Sequence, residues 1–311
     1  MILSVSRRTD IPNYYSEWFY NRIKEGFLYV RNPMNIHQIS EIKITPDVVD
    51  CIVFWTKNPL PMIQRLDEIK DYKYYFQFTL TGYGKDVEAN LPNKKTEMIP
   101  IFQKLSEKIG KQKVVWRYDP IFFSDRYTKE YHLKAFKSIA KALNGYTEKC
   151  VISFADIYPK NKKNMDDLSS YELNDNELRE FVRELSNIAR DNNIEIGSCA
   201  EKIDLDDCGI VHNCCIDRQL IEKIVGCKLN IPKDKYQRPE CGCQPEARQA
   251  DPDRGHQRPA CRRCHDRAVG RSGLSGSTET VSDRTFGKIS FTFHEIFVLR
   301  LDASSIFCYT G

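Results

Sequence analysis

Residues 48–59 read VVDCIVFWTKNP. From Cys51 to Trp55 every residue is apolar, and the run stops abruptly at Thr56, Lys57, Asn58 and Pro59. A strand with one wet face alternates apolar and polar residues. A continuous run instead predicts a strand covered on both faces, as in a parallel sheet flanked by helices. The same pattern recurs along the chain. Strand-like runs at 2–6, 28–31, 74–81, 113–118, 150–156 and 194–199 are separated by segments of helical period near 14–24, 59–70, 94–109, 128–143 and 175–192. Leu133, Phe136, Ile139, Ala140 and Leu143 form one apolar stripe, and Leu178, Phe181, Val182, Leu185, Ile188 and Ala189 form another. Asn174 with Glu177 three residues later predicts a capping box. Six or seven β–α units in about 200 residues predict an α/β fold of the (β/α) barrel type, complete or partial and TIM-like. No glycine-rich dinucleotide fingerprint follows the first strand and no phosphate-binding loop is present, which argues against a nucleotide-binding doubly wound sheet.

The chain has 311 residues, 41% hydrophobic and 29% charged, with a formal net charge of +4. That balance reads as globular and gives no electrostatic case for nucleic acid as a partner. No apolar run approaches the length of a membrane helix, and the start MILSVSRRTD is too short in apolar residues for a secretory signal. A cytoplasmic protein without membrane contact is the expectation. The 12 cysteines are then expected to serve metal binding, redox chemistry or burial, and not a disulfide framework.

Chemistry in a parallel barrel sits at the C-terminal strand ends. Here those ends read SRRTD (6–10), RNP (31–33), WTKNP (55–59), TLTGYGKD (79–86), WRYDP (116–120), SFAD (153–156) and SCAE (198–201). Arg7, Arg8, Asp10, Lys57, Arg117, Asp119, Asp156 and Glu201 are therefore candidates for one pocket that takes a small-molecule substrate or cofactor. Arginine forks suit carboxylate or phosphate groups, and the acids suit an amine or a ribose hydroxyl. The bland reading is an ion-pair network that caps the strand ends and binds nothing. Trp55, Trp116 and Tyr118 read as packing, because they belong to the strands themselves.

Cys51 and Cys150 lie inside apolar strand runs and read as small buried hydrophobes. Between Cys199 and Cys243 the density is different: Cys199, Cys208, Cys214, Cys215, Cys227, Cys241 and Cys243, with His212 among them. A tetrahedral zinc or an iron–sulfur cluster each needs about four such ligands, and spacing alone does not choose between them. Cys227 reads as packing after an apolar helix. Cys261, Cys264 and His265 form Cys-x-x-Cys-His, a pattern too short to carry weight by itself.

The ordered motifs ILSVSRRTDIP, YVRNP, VDCIVFWTKNP, YYFQFTLTGYG, WRYDPI, GYTEKCVISFAD, GSCAEKIDL and DKYQRPECGC resemble a bacterial family known as domain of unknown function 1848, over about residues 1–243. The resemblance implies a radical-SAM-like (β/α) barrel with a [4Fe–4S] cluster and S-adenosylmethionine as cofactor. It also picks out Cys199, Cys215, Cys241 and Cys243 as matching positions for one metal site, with Cys208 and Cys214 as local extras. In such enzymes three thiolates hold the cluster and an electron passed to the sulfonium yields a 5′-deoxyadenosyl radical. Zinc in a purely structural role is the alternative. The family's Cys-x-x-x-Cys-x-x-Cys motif is expected just after Cys243, yet it occurs nowhere in this chain.

The composition changes at the same point. Residues 1–243 hold 25 lysines and 12 arginines, whereas 244–311 hold one lysine and nine arginines. From 244 to 276 the chain is crowded with Arg, Ala, Gly, Pro and Asp and has no hydrophobic period. A switch from A-rich to G- and C-rich codons at one point is what a frameshift or a sequence junction produces. The expected organisation is a barrel over 1–200, a metal-binding segment over 199–243, and an atypical tail over 244–311 that is not the family's native C-terminus. A strand pair within 289–301 is the alternative for that tail.

Overall fold

The computed structural model describes residues 1–5, 9–32, 35–156, 162–199, 201, 203–230 and 297–299. The chain opens with β1 (Ile2–Val5), α1 (Ile11–Tyr14), α2 (Ser16–Glu25), β2 (Phe27–Asn32) and β3 (Asn35–Lys43). There follow β4 (Cys51–Thr56), α3 (Leu60–Ile63), β5 (Tyr74–Thr79), α4 (Ile99–Ile109), β6 (Val114–Ile121), β7 (Phe123–Ser124) and α5 (Lys129–Leu143). Last come β8 (Lys149–Phe154), α6 (Lys162–Asp167), β9 (Ser170–Tyr171), α7 (Asp175–Asp191), β10 (Glu195–Cys199), β11 (Val211–Asn213), α8 (Arg218–Val225) and β12 (Phe297–Leu299).

Seven strands form one parallel sheet in the order β1-β4-β5-β6-β8-β10-β11, and β12 pairs antiparallel with the other edge of β1. That order is the chain order. Each strand lies beside the sheet strand made before it, so every crossover steps the same way. Right-handed crossovers then put the connecting helices on one face, whereas a doubly wound sheet reverses direction midway. The first face accordingly carries Leu3, Phe54, Phe76, Phe78, Trp116 and Ile152 against Phe19 of α2, Met62 of α3, Phe102 of α4, Phe136 of α5 and Phe181 of α7, all buried. On the second face Ile2, Cys51, Val53, Tyr75, Val115 and Val151 pack against Ile221, with Leu220 and Ile224 alongside, so α8 covers that side. Both faces are covered, which is why β4 reads as an unbroken apolar run. Cys51 and Cys150 are fully buried, one on each face, as expected.

Local signals account for the helix ends. Asn174 accepts from the Glu177 amide at 3.0 Å while Glu177 accepts from the Asn174 amide at 3.1 Å, the reciprocal box that starts α7. α8 starts on the Asp217 side chain and stops at Gly226, whose φ of 80° needs a residue without a Cβ. Two expectations need correction. Residues 28–31 belong to no sheet crossover: β2 pairs antiparallel with β3 as a separate hairpin. There Leu28 and Ile42 face the core while Tyr29 and Ile39 stay exposed, a one-sided pattern that a short apolar run conceals. The helix expected over 59–70 breaks after α3 into a single tight turn at Leu66–Ile69. No helix among the described residues is long and apolar enough to cross a membrane.

Candidate functional site

Because side chains alternate along a strand, the second-face residues Ile2, Val53, Tyr75, Val115, Val151 and Gly197 are followed two positions later by Ser4, Trp55, Gln77, Arg117, Ser153 and Cys199. One polar row thus crosses the sheet at its C-terminal ends. Its centre is Arg117, 4% exposed. Nε and Nη2 donate to Asp119 Oδ2 at 2.8 and 2.6 Å, and Nη1 donates to Gln77 Oε1 at 3.0 Å. The Gln77 amide in turn donates to the Cys215 carbonyl at 2.9 Å. Ser153 Oγ donates to the other Asp119 oxygen. The Trp55 ring lies 5.0 Å from the Arg117 guanidinium carbon, and its indole N–H donates to Ser4 Oγ at 3.0 Å. Burial works against the Arg117 charge, but the Asp119 carboxylate outweighs it, and its pKa is raised.

Cys199 ends β10, and Cys215 sits just past β11; their sulfurs are 3.2 Å apart. The hydrogen bond to Cys215 and then burial keep Cys199 a neutral thiol, against the pull of Arg117. Two thiols in contact are an arrangement able to release their protons to solvent and bind a metal ion as thiolates.

A second polar group lies at the ends of β4 and β5. Asp10 accepts from Thr56 Oγ1 at 2.7 Å, from the Lys57 amide at 2.6 Å and from the Asn13 amide at 3.0 Å, capping α1. Burial nevertheless raises its pKa. Lys57 Nζ reaches Glu88 Oε1 at 2.6 Å, Thr81 Oγ1 donates to Oε2 at 2.8 Å, and Lys94 bonds both Glu88 and Thr81. Burial opposes the Glu88 charge, but the two ammonium groups overcome it and lower the pKa.

The family model "Domain of unknown function (DUF1848)" matches residues 2–250. The chain belongs to the DUF1848 family. No curated protein matches it. Among solved structures, a candidate alpha-L-fucosidase from Bacteroides thetaiotaomicron VPI-5482 is similar at 10% identity, covering 72% of this chain and 82% of that one, with a TM-score of 0.28. A likeness so low carries no argument about this DUF1848 member.

The structure brings Arg117, Asp119, Cys199 and Cys215 of the DUF1848 chain into one network, and joins Asp10 and Lys57 in the other. Glu201 accepts from the Phe154 amide at 2.8 Å and so ties the segment after β10 to the end of β8. Asp156 is exposed. Arg7, Arg8, Cys241 and Cys243 lie outside the described residues, as do Cys261, Cys264 and His265. Cys208 is buried on the first face against α7, away from the thiol pair, and donates weakly to the Arg179 carbonyl at 3.8 Å. Trp116 and Tyr118 pack under α5, whereas Trp55 belongs to the polar row. Sequence reasoning missed Gln77, Ser153, Glu88 and Lys94 as members of these networks. Gln77 left a trace, as the one amide inside the apolar strand YYFQFT. Among the described residues no three His, Cys, Asp or Glu side chains converge as a ready metal site.

Proposed function

We propose that this DUF1848 chain is a metal–thiolate protein built on an incomplete barrel. The inner face of that barrel would hold an iron–sulfur centre beside a small-molecule pocket. The observation that carries the reading is the thiol pair Cys199 and Cys215, 3.2 Å apart at the C-terminal end of a parallel sheet wound in chain order. Two soft donors in contact fit the chemistry of a thiolate-bound metal. Cys241 and Cys243 are the partners that the family resemblance supplies. A bound cluster would contribute single-electron chemistry, with S-adenosylmethionine as the electron acceptor. This chain's own residues would do the rest. Arg117, held by Asp119, would set a positive charge beside the sulfurs and orient Gln77, whose amide fixes the Cys215 carbonyl; α8 would keep water from the second face.

A second reading, a zinc-stabilised binding protein without catalysis, is favoured by one observation: the chain contains no Cys-x-x-x-Cys-x-x-Cys. Anaerobic purification of the full chain with assay of iron, sulfide and zinc separates the two. Iron and sulfide in equal amounts, lost in Cys199→Ser and Cys215→Ser, support the cluster. A colourless protein with one zinc supports the second reading, and a protein that takes up neither metal overturns both.

A further inference from the structure

Asn213 closes β11 directly opposite Cys199 in the parallel ladder. Paired residues in such a ladder project to the same side, so its side chain shares the second face with that thiol. Gly197 makes the approach possible. A Cβ at Gly197 would stand 3.2 Å from the Asn213 Cβ and 3.2 Å from the Val211 carbonyl oxygen. Cys215 follows Asn213 by two residues and returns its sulfur to Cys199. Three donor side chains therefore gather where β10 and β11 end.

Asn213 is 5% exposed. Its Nδ2 donates to the Cys214 carbonyl at 2.9 Å. A carbonyl only accepts, so this bond settles which end of the amide is which. The remaining atom, Oδ1, is buried and has no hydrogen-bond partner. Such orphans are rare in folded proteins and point to a missing ion, water or ligand. Oδ1 is an acceptor that lacks a donor or a cation, and across the ladder from Asn213 stands Cys199, whose sulfur touches that of Cys215; the conjugate bases of both thiols are metal ligands.

We propose that Asn213 gives an oxygen ligand, through Oδ1, to a divalent metal ion of borderline softness held by Cys199 and Cys215. On binding, each thiol releases its proton to solvent as a sulfur–metal bond forms, and Oδ1 donates a lone pair; no oxidation state changes. The proposal rests on the metal–thiolate reading above and adds a hard donor to a soft pair. Zinc and ferrous ions both accept that mixture.

The test is a Co²⁺ titration of the metal-free full chain under anaerobic conditions. Charge-transfer absorption counts thiolates, and the ligand-field bands report the remaining donors. Asn213→Leu is expected to weaken Co²⁺ binding at least tenfold and to shift the ligand-field bands while keeping the charge-transfer intensity per bound ion. Asn213→Asp, which keeps an oxygen in place, is expected to bind as tightly as the parent. Unchanged affinity and bands in Asn213→Leu overturn the proposal. A tenfold loss in Asn213→Asp overturns it too, even where Asn213→Leu does not fold. Unaltered Co²⁺ binding in the Cys199→Ser, Cys215→Ser double variant would instead sink the metal–thiolate reading itself.

Discussion

At Arg117 a permanent cation sits inside the protein, matched by one carboxylate and one amide. Removing half of a buried ion pair leaves an uncompensated charge, which costs about 3–5 kcal/mol. Asp119→Asn is therefore expected to lower the urea midpoint sharply, and an unchanged midpoint would show that solvent reaches the pair. His132, fully buried on the other face, makes a different prediction. Its Nε2 must donate to the Phe122 carbonyl at 2.9 Å, so Nδ1 accepts from the Tyr118 hydroxyl at 2.9 Å, and the ring is neutral. Burial takes its pKa from 6.5 down to about 4. Between those values the unfolded chain binds the extra proton, so stability rises with pH across that window and is lost as pH falls through it, by roughly 3 kcal/mol in all. Denaturant midpoints from pH 4 to 7 should show this slope, and His132→Gln should flatten it.

The junction of β10 with β11 offers a prediction at the scale of elements. Gly197→Ala sets a methyl group against the backbone oxygen of Val211 as well as the Asn213 side chain, and backbone yields little. The expected loss is about 1–3 kcal/mol. Displacement of β11 should also part the two sulfurs, seen as faster reaction of Cys199 with a thiol reagent; wild-type stability and reactivity would show that β11 can move without consequence. The elements differ in how plainly the sequence announces them. β1, β4, β5, β6, β8 and β10 are legible because burial on both faces writes an apolar run, and a polar end marks where each emerges. The β2–β3 hairpin is mistaken for another such strand because its short run hides a one-sided pattern. β11 has three residues, too few for any period, and α8 is hidden in a segment where the cysteines draw the eye. The site divides the same way. Arg117, Asp119 and Cys199 stand at legible strand ends and could be found, whereas Cys215, past the short β11, is singled out only by the family resemblance. Glu88 and Lys94 come from the long connection after β5, where no periodicity marks a side chain that turns back toward the sheet.

For the molecule as a whole, the family match ends at residue 250, and the switch from lysine to arginine begins at 244. We propose that the tail is read in a shifted frame or joined from elsewhere. Translating the neighbouring frames of the coding DNA beyond codon 243 should then restore a Cys-x-x-x-Cys-x-x-Cys motif, and its absence from every frame would make the tail native. The sheet order has a consequence for how such a chain is born. The ribosome delivers the seven parallel strands in the sequence in which they come to lie, so each finds its neighbour already in place and none must thread between older ones. Cys199 and Cys215 emerge near the end of that procession, with α8 behind them. A nascent chain halted before Glu195 would own most of its first-face core and neither sulfur of the pair. On the metal–thiolate reading proposed above, metal loading would be the closing act of biogenesis, and a cell starved of metal would accumulate chains finished in every respect but their lock.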